Sequence, residues 1–299
     1  MPHKPVLVKE VLEGLDLKPG MVVVDGTLGN AGHALEILEL IGTNGRLIGL
    51  DQDPEAIKRC EEKLKNSKNV SLHQENFDSI EKVLDILNVL NVNAVLLDIG
   101  FSSNQLEDTE RGFSFDRPGP LDMRMNPGNT VKAADLVNDL SEEELEKMFQ
   151  EYGNERWARK FAQAICRERN IRPIETTNHL IETIQQAMWG GKRKDRPGWA
   201  RRHPATRVFQ ALRIVVNDEL GALKRGLLHG WKRLKPGGRF AVISFHSLED
   251  RIVKHQFQAW QQAGEAKRIT KKPITATREE EIANPRSRSA KLRVVEKIE

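Results

Sequence analysis

Three acids stand at the ends of short apolar runs, each followed by a turn. Asp25 lies in Val22-Val-Val-Asp-Gly-Thr-Leu-Gly-Asn-Ala-Gly-His33, Asp51 in Leu47-Ile-Gly-Leu-Asp-Gln-Asp-Pro54, and Asp98 in Ala94-Val-Leu-Leu-Asp-Ile-Gly100. A further run, Leu234-Lys-Pro-Gly-Gly-Arg-Phe-Ala-Val-Ile-Ser-Phe-His246, delivers Ser244 and His246. The first turn carries Gly26, Gly29 and Gly32. Glycine is needed where a chain turns sharply or lies close to a ligand. A helical pattern follows, so its free N–H groups point back toward the turn. This is a ligand-cradling loop, and the acid inside it favours a cation over a pyrophosphate.

The spacing narrows the chemistry. Gly26, Gly29 and Gly32 follow G-x-x-G-x-x-G rather than the G-x-G-x-x-G of dinucleotide sites, and such a turn alone is also an ordinary strand–helix connection. Asp51 lies 19 residues past Gly32, where an acid can accept both hydrogen bonds of a ribose diol. Asp53 is placed to cap the next helix, which leaves Asp51 for the ribose. NAD would use Asp51 but needs neither Asp25 nor Asp98. The sulfonium and α-ammonium of S-adenosylmethionine are both cationic and suit several carboxylates around one pocket. Amine methyltransferases often place an acid where Asp98 stands, to accept hydrogen bonds from the substrate amine, although the usual following Pro-Pro pair is missing from Leu97-Asp-Ile-Gly-Phe-Ser-Ser-Asn-Gln-Leu106. C5-pyrimidine methylation would require a cysteine nucleophile. Cys60 and Cys166 both fall in helical patterns away from strand ends, so direct transfer to nitrogen or oxygen is preferred. His203, His246 and His255 lack metal-ligand spacing, and no metal is expected. His246 either borders the substrate pocket or caps the helix that follows.

These residues need a scaffold. Strands are expected over Met21–Asp25, Arg46–Asp51, Val70–Gln74 and Ala94–Ile99, alternating with helices over Gly32–Ile41, Pro54–Asn66 and Ser79–Leu90. The alternation implies parallel βαβ units in a doubly wound α/β sheet, whose ligands bind outside the carboxyl ends of the strands. After Gly100 about a hundred residues show no convincing strand. Glu107–Asn129 reads as a loop. The capping box Ser141-Glu-Glu-Glu144 opens a helix to about Tyr152, and Asn154–Arg169 and Thr177–Met188 read as helices. Gly190–Pro204 is a turn-rich basic stretch. The α/β rhythm then returns with one long helix over Thr206–Leu234, stopped by Pro236-Gly-Gly238. A buried strand over Arg239–Ser244 and a helix over Leu248–Gln262 follow. Two weak strands near Arg268–Thr275 and Lys291–Lys297 could pair antiparallel at the sheet edge. The expected organisation is a core of residues 1–106 and 206–299, with an inserted all-helical substrate-recognition subdomain at 107–205.

With 299 residues, 38% apolar and 30% charged, the chain suits one large or two ordinary domains with an extensive solvated surface. The net charge is only +4, but Lys192, Arg193, Lys194, Arg196, Arg201, Arg202 and Arg207 face the single acid Asp195. Clustered charge of this kind points to a polyanion. Trp199, among these arginines, could stack a base; Trp157, Trp189, Trp231 and Trp260 read as core. The N-terminus leads into no apolar signal region, no apolar run approaches membrane length, and the two cysteines have no disulfide spacing. A soluble, cytoplasmic protein without a membrane partner is expected.

Eight blocks resemble one family throughout. They are His3-Lys-Pro-Val-Leu7, Asp25-Gly-Thr-Leu-Gly29, Leu96-Leu-Asp-Ile-Gly-Phe-Ser-Ser103, Arg111-Gly-Phe-Ser-Phe115, Pro120-Leu-Asp-Met-Arg-Met125, His203-Pro-Ala-Thr-Arg-Val-Phe-Gln-Ala-Leu-Arg213, Val242-Ile-Ser-Phe-His-Ser-Leu-Glu-Asp-Arg251 and Arg286-Ser-Arg-Ser-Ala-Lys-Leu-Arg293. In this order, over nearly the whole chain, they are similar to the bacterial RsmH (formerly MraW) family of small-subunit ribosomal RNA cytosine-N4 methyltransferases. The resemblance implies a class I, Rossmann-like methyltransferase core with a helical insertion, S-adenosylmethionine as methyl donor, and a cytosine in the decoding centre of 16S rRNA as acceptor. The partner would be the rRNA or the small subunit, and the protein a monomer or homodimer. The family's cofactor positions fall on Ala31, Gly32, His33, Asp51, Phe77, Asp98 and Gln105, with Gly29 beside them in the turn. Ala31 stands where the family usually has glycine, and Phe101 replaces a smaller aliphatic residue. Asp98, Ser102, Ser103, Ser244 and His246 are the candidates for the target cytosine and its chemistry. The basic strip and the tail arginines Arg286, Arg288 and Arg293 would grip phosphates. Two competing readings, an NAD-dependent oxidoreductase and a non-catalytic RNA-binding assembly factor with a cofactor pocket, leave the ordered blocks unexplained.

Overall fold

The computed structural model describes residues 5–101, 103–114, 117–190 and 203–299. Ser102, Lys192, Arg193, Lys194, Arg196, Trp199, Arg201 and Arg202 lie outside the described residues. The chain divides into two compact units, Met1–Phe101 with Leu220–Glu299, and Ser102–Glu219.

The first unit begins α1 (Val8–Leu15), β1 (Val22–Asp25), α2 (Gly32–Ile41), β2 (Arg46–Leu50), α3 (Pro54–Leu64), β3 (Val70–His73), α4 (Ile80–Ile86) and β4 (Val92–Asp98). The second unit is built from α5 (Ser103–Glu107), α6 (Ala133–Asp139), α7 (Glu142–Glu151), α8 (Ala158–Arg169), α9 (Thr177–Trp189) and α10 (Thr206–Val216). The chain then returns through α11 (Glu219–Arg233), β5 (Leu234–Ser244), α12 (Ser247–Gln262), β6 (Ala266–Arg268), α13 (Arg278–Ala283) and β7 (Lys291–Lys297).

Seven strands form one sheet in the order β3-β2-β1-β4-β5-β7-β6. Neighbours among β1 to β5 pair parallel, and β7 runs antiparallel to both β5 and β6. Successive strand residues feed opposite faces, as period-2 geometry requires. Val23, Leu96 and Ala241 pack with Val11, Ile37 and Ile41 on one face. Val24, Leu97 and Val242 pack with Leu84, Leu227 and Phe257 on the other. A sheet covered on both sides explains why these strands read as continuous apolar runs. The result is a doubly wound α/β sheet with an antiparallel edge. The two tail strands pair as expected, although β6 is confined to Ala266–Arg268 and Ile274 makes only an isolated bridge to Leu292.

Four sequence expectations need correction. The long helix over 206–234 is two helices, broken at Asn217 and Asp218. Asp218 has φ +46, and the Asn217 carboxamide accepts from Met125 N (2.7 Å) and donates to Met123 O (2.8 Å). Apolar periodicity continues on both sides of the break and hides it. The strand after Pro236-Gly-Gly238 starts earlier, at Leu234. Leu234 pairs with Val92, and the register shifts before Arg239 pairs with Ala94, with Gly237 at φ +74 absorbing the irregularity. The helix expected from Asn154 starts at Ala158, because Asn154 turns with φ +50. Trp157, read as core, is 44% exposed, since it precedes the first turn of α8 rather than lying on its apolar face. Trp231 and Trp260 are core residues and stack at 4.1 Å between ring centroids. Among the described residues no helix is long and apolar enough to cross a membrane.

Candidate cofactor and substrate site

All three strand-end acids meet at the first turn. The Thr27 N–H donates to Asp25 Oδ1 (3.0 Å), and the Thr27 hydroxyl accepts from Asp98 N (2.6 Å). The Gly29 N–H donates to Asp51 Oδ2 (2.8 Å), while Asp51 Oδ1 accepts from Asp53 N (2.9 Å). Asp53 caps α3 through Glu55 N (3.1 Å), as its position before Pro54 implies. Gly29 sits at φ +52 and Ala31, the residue before α2, at φ +60. Gly26 has no room for a side chain: a Cβ there would lie 2.5 Å from Leu97 Cδ2. A Cβ on Gly32 would lie 2.7 Å from Pro5 Cγ, so Pro5 of the N-terminal block closes over the start of α2. Leu7 N donates to Glu280 Oε1 (2.8 Å) and ties that block to α13. Neither support is visible from local pattern, because its partner lies far away in sequence.

Burial dominates the electrostatics. Removal from water pushes the Asp25 carboxyl up to about 6, against the opposing pull of His33 and the Thr27 N–H. It pushes Asp51 up to about 6 as well, against the Asp53 and Gly29 N–H groups. Among the described residues, Asp25 Oδ2 and both ring nitrogens of buried His33 have no hydrogen-bond partner. His33 Nε2 lies 3.5 Å from Asp98 Oδ2. A buried carboxylate oxygen without a donor costs free energy, and a cationic ligand group is the chemistry that satisfies it. The donor set therefore fits S-adenosylmethionine, whereas a pyrophosphate would face three carboxylates.

An outer layer, missed by sequence reading, fixes the turn. From α3, Arg59 Nε donates to Asn30 Oδ1 (3.1 Å), Lys63 Nζ to Asn30 O (2.8 Å), and the Cys60 thiol faces Gly29 O at 3.7 Å. Burial raises the Cys60 thiol to about 12, so it stays protonated and is no nucleophile. Asn76 Nδ2 donates to Gln52 Oε1 (3.2 Å), linking the turns after β2 and β3. Phe77 follows in a single 3₁₀ turn, and its ring fills the space where a Cβ on Gly226 would sit, 2.5 Å from Phe77 Cδ2.

At the ends of β4 and β5, Gly100 meets Phe245: a Cβ on Gly100 would lie 2.5 Å from the ring. Ser244 is buried, its hydroxyl 3.5 Å from Lys291 O. His246 caps α12. Its Nδ1 accepts from Glu249 N (3.5 Å), its Nε2 lies 2.9 Å from Glu249 Oε1, and Glu249 Oε2 accepts from the N–H groups of Phe245 and His246. Of the two roles left open for His246, the capping one is realised. In the second unit, Ser103 opens α5 and Gln105 is buried within it. Arg207 Nη1 donates to Asn154 O (3.0 Å). Arg293, expected to grip a phosphate, is instead buried and donates Nε to Asp250 Oδ1 at 2.6 Å. Its charge is already neutralised and does not reach a phosphate.

Comparison with known proteins follows the same line. The sequence model of the MraW methylase family matches residues 1–298. A Ribosomal RNA small subunit methyltransferase H of Symbiobacterium thermophilum is 47% identical over 316 residues, spanning 99% of this chain and 97% of the relative. One of Geobacter sulfurreducens is 49% identical over 319 residues, spanning 99% of each. A solved rRNA methylase from Streptococcus thermophilus aligns over 100% of this chain and 99% of its own, at 10% identity and TM-score 0.45, a likeness too distant to carry an argument.

Proposed function

The chain belongs to the MraW methylase family, and from that premise we propose that it transfers a methyl group from S-adenosylmethionine to the N4 amine of a cytosine in the decoding centre of 16S rRNA. The observation that carries the cofactor reading is the buried, unpartnered Asp25 Oδ2 beside Asp51 and Asp98. The small-subunit rRNA reading is supported by the names of relatives that match end to end, and the cytosine-N4 assignment by the ordered sequence blocks.

When bound, S-adenosylmethionine supplies a methyl carbon made electrophilic by its sulfonium. Asp51, with each oxygen anchored by a backbone N–H, presents its remaining lone pairs to the ribose hydroxyls. Phe77 covers the adenine, and the turn from Gly29 through Ala31 to His33 completes the cofactor contacts of the first unit. Asp98 accepts the hydrogens of the target amine. That concentrates electron density on a nitrogen whose lone pair is otherwise delocalised into the ring, and it gives the released proton an acceptor. His33, 3.5 Å away, keeps Asp98 in place. Ser244, at the carboxyl end of β5, holds the cytosine edge, and His246 fixes the start of α12 beside it. A paired base has to leave its stack to reach such a pocket. The helical insertion, with the strip Lys192–Arg207, takes the rRNA or small subunit, and the protein works in the cytoplasm.

Titration with S-adenosylmethionine and NADH separates this from an oxidoreductase; binding of NADH alone would overturn it. Asp98→Ala is expected to abolish transfer to small subunits while the melting temperature stays near wild type. Transfer at the wild-type rate would remove Asp98 from the reaction.

A further inference from the structure

The start of α8, from Arg156 through its N-cap Trp157 to Lys160, carries charge and an aromatic surface that the site above does not use. Between Arg156 and Arg167 the chain has four cations, Arg156, Arg159, Lys160 and Arg167, and no acid. All four are exposed, as is Trp157. The Trp157 ring is flanked by the Lys160 ammonium at 5.6 Å and the Arg156 guanidinium at 5.8 Å from its centroid. Its backbone is held: Trp157 N donates to Glu155 Oε1 (2.8 Å), and Glu155 is itself buried. The ring therefore stands on a fixed turn.

A second observation joins this turn to the basic strip. Arg207 closes the strip in sequence, and its Nη1 donates to Asn154 O at 3.0 Å. Gln210 Nε2 donates to Tyr152 O (3.0 Å), and a Cβ on Gly153 would lie 2.6 Å from Arg207 O. The start of α10 is thus seated on the turn that leads into Trp157, within one unit. The acids of α7 that act on Cys166, Glu142 and Glu143, lie toward the opposite end of α8.

An exposed indole between cations suits a base with phosphates on either side: the ring offers a stacking face, and the cations neutralise the backbone. We infer that the N-terminal end of α8 is a stacking platform for an unpaired base of the RNA substrate, with Trp157 as the stacking surface and Arg156, Arg159, Lys160 and Arg207 on the flanking phosphates. The inference rests on the reading that the substrate is RNA. An apolar protein partner would gain nothing from the three cations Arg156, Arg159 and Lys160 around one indole.

The test is binding of a short, mixed-sequence, single-stranded RNA to the full chain, alongside methyl transfer to small subunits. Trp157→Ala is expected to weaken RNA binding about tenfold, with cofactor affinity and melting temperature unchanged, and Trp157→Phe to restore most of it. The double change Arg156→Ala with Lys160→Ala is expected to lower the slope of log affinity against log salt by about 1.4. RNA affinity unchanged in both variants overturns the platform, as does a change in self-association with RNA affinity intact. Failure of the substrate reading looks different: the wild type would then bind RNA without methylating small subunits.

Discussion

Asp25 is the residue on which the cofactor argument turns, and its cost is measurable. The carboxyls of Asp25 and Asp51 titrate near 6 in the folded chain against an ordinary value of 3.8. The folded state therefore binds these protons more tightly than the unfolded state. Without cofactor, stability contributed by each group is full below about pH 4, falls as pH rises toward 6, and stays low above it. The loss is about 3 kcal/mol per group as an upper figure. Asp25→Asn removes that penalty: it is expected to raise stability at pH 8 by about 1–3 kcal/mol while weakening cofactor binding more than tenfold. Calorimetric melting at pH 5 and pH 8, with cofactor titration, checks both signs. A variant less stable than wild type at pH 8 would contradict the burial argument. Ala31 gives a second residue-scale test. At φ +60 its methyl carries a left-handed penalty of about 1–2 kcal/mol, roughly offset by its buried contact and the flexibility glycine adds to the unfolded chain. Ala31→Gly is expected to stay within about 1 kcal/mol of wild type, whereas Ala34→Gly, inside α2, should cost about 2 kcal/mol. Denaturant melts compare the two.

At the scale of elements, the sequence disclosed those whose signals are local. The end of β1 at Asp25, the span of α2 and the start of α3 at Pro54 follow from β-branched runs, glycine spacing and Asp53 before proline. What it could not disclose depends on distant partners. The break between α10 and α11 is set by Asn217 reaching Met123 and Met125. The position of Pro5 is set by Gly32, and the grip on Asn30 comes from Arg59 and Lys63 one helix away. His246 shows the same limit at the site: its sequence position allows a pocket wall or a cap, and only the Glu249 contacts decide that it caps. The Asn217 contacts make a prediction at this scale. Asn217→Ala leaves the Met125 N–H and Met123 carbonyl without their partner, and it is expected to destabilise the second unit by about 2–3 kcal/mol. Hydrogen exchange should show the loss in segment 123–125 and α10, with the sheet of the first unit unchanged. Equal loss of protection in β1 and β4 would contradict it.

For the whole molecule, alternating strands and helices on either side of a strand-free segment were enough to read the α/β class. The order of the outer strands was not, because β7 enters the sheet between β5 and β6 from the far end of the chain. Composition pointed to a polyanion through the strip at 192–207, and the start of α8 adds exposed cations around Trp157, a residue the sequence reading took as core. The first unit carries a carboxylate-lined cofactor turn and the second a cationic helical face, and the acceptor atom is the central claim. The most direct measurement is methyl transfer from labelled S-adenosylmethionine to small subunits isolated from a strain lacking this protein, followed by nucleoside analysis. The label is expected in N4-methylcytidine. Label in any other nucleoside, or none despite measured cofactor binding, would contradict the account.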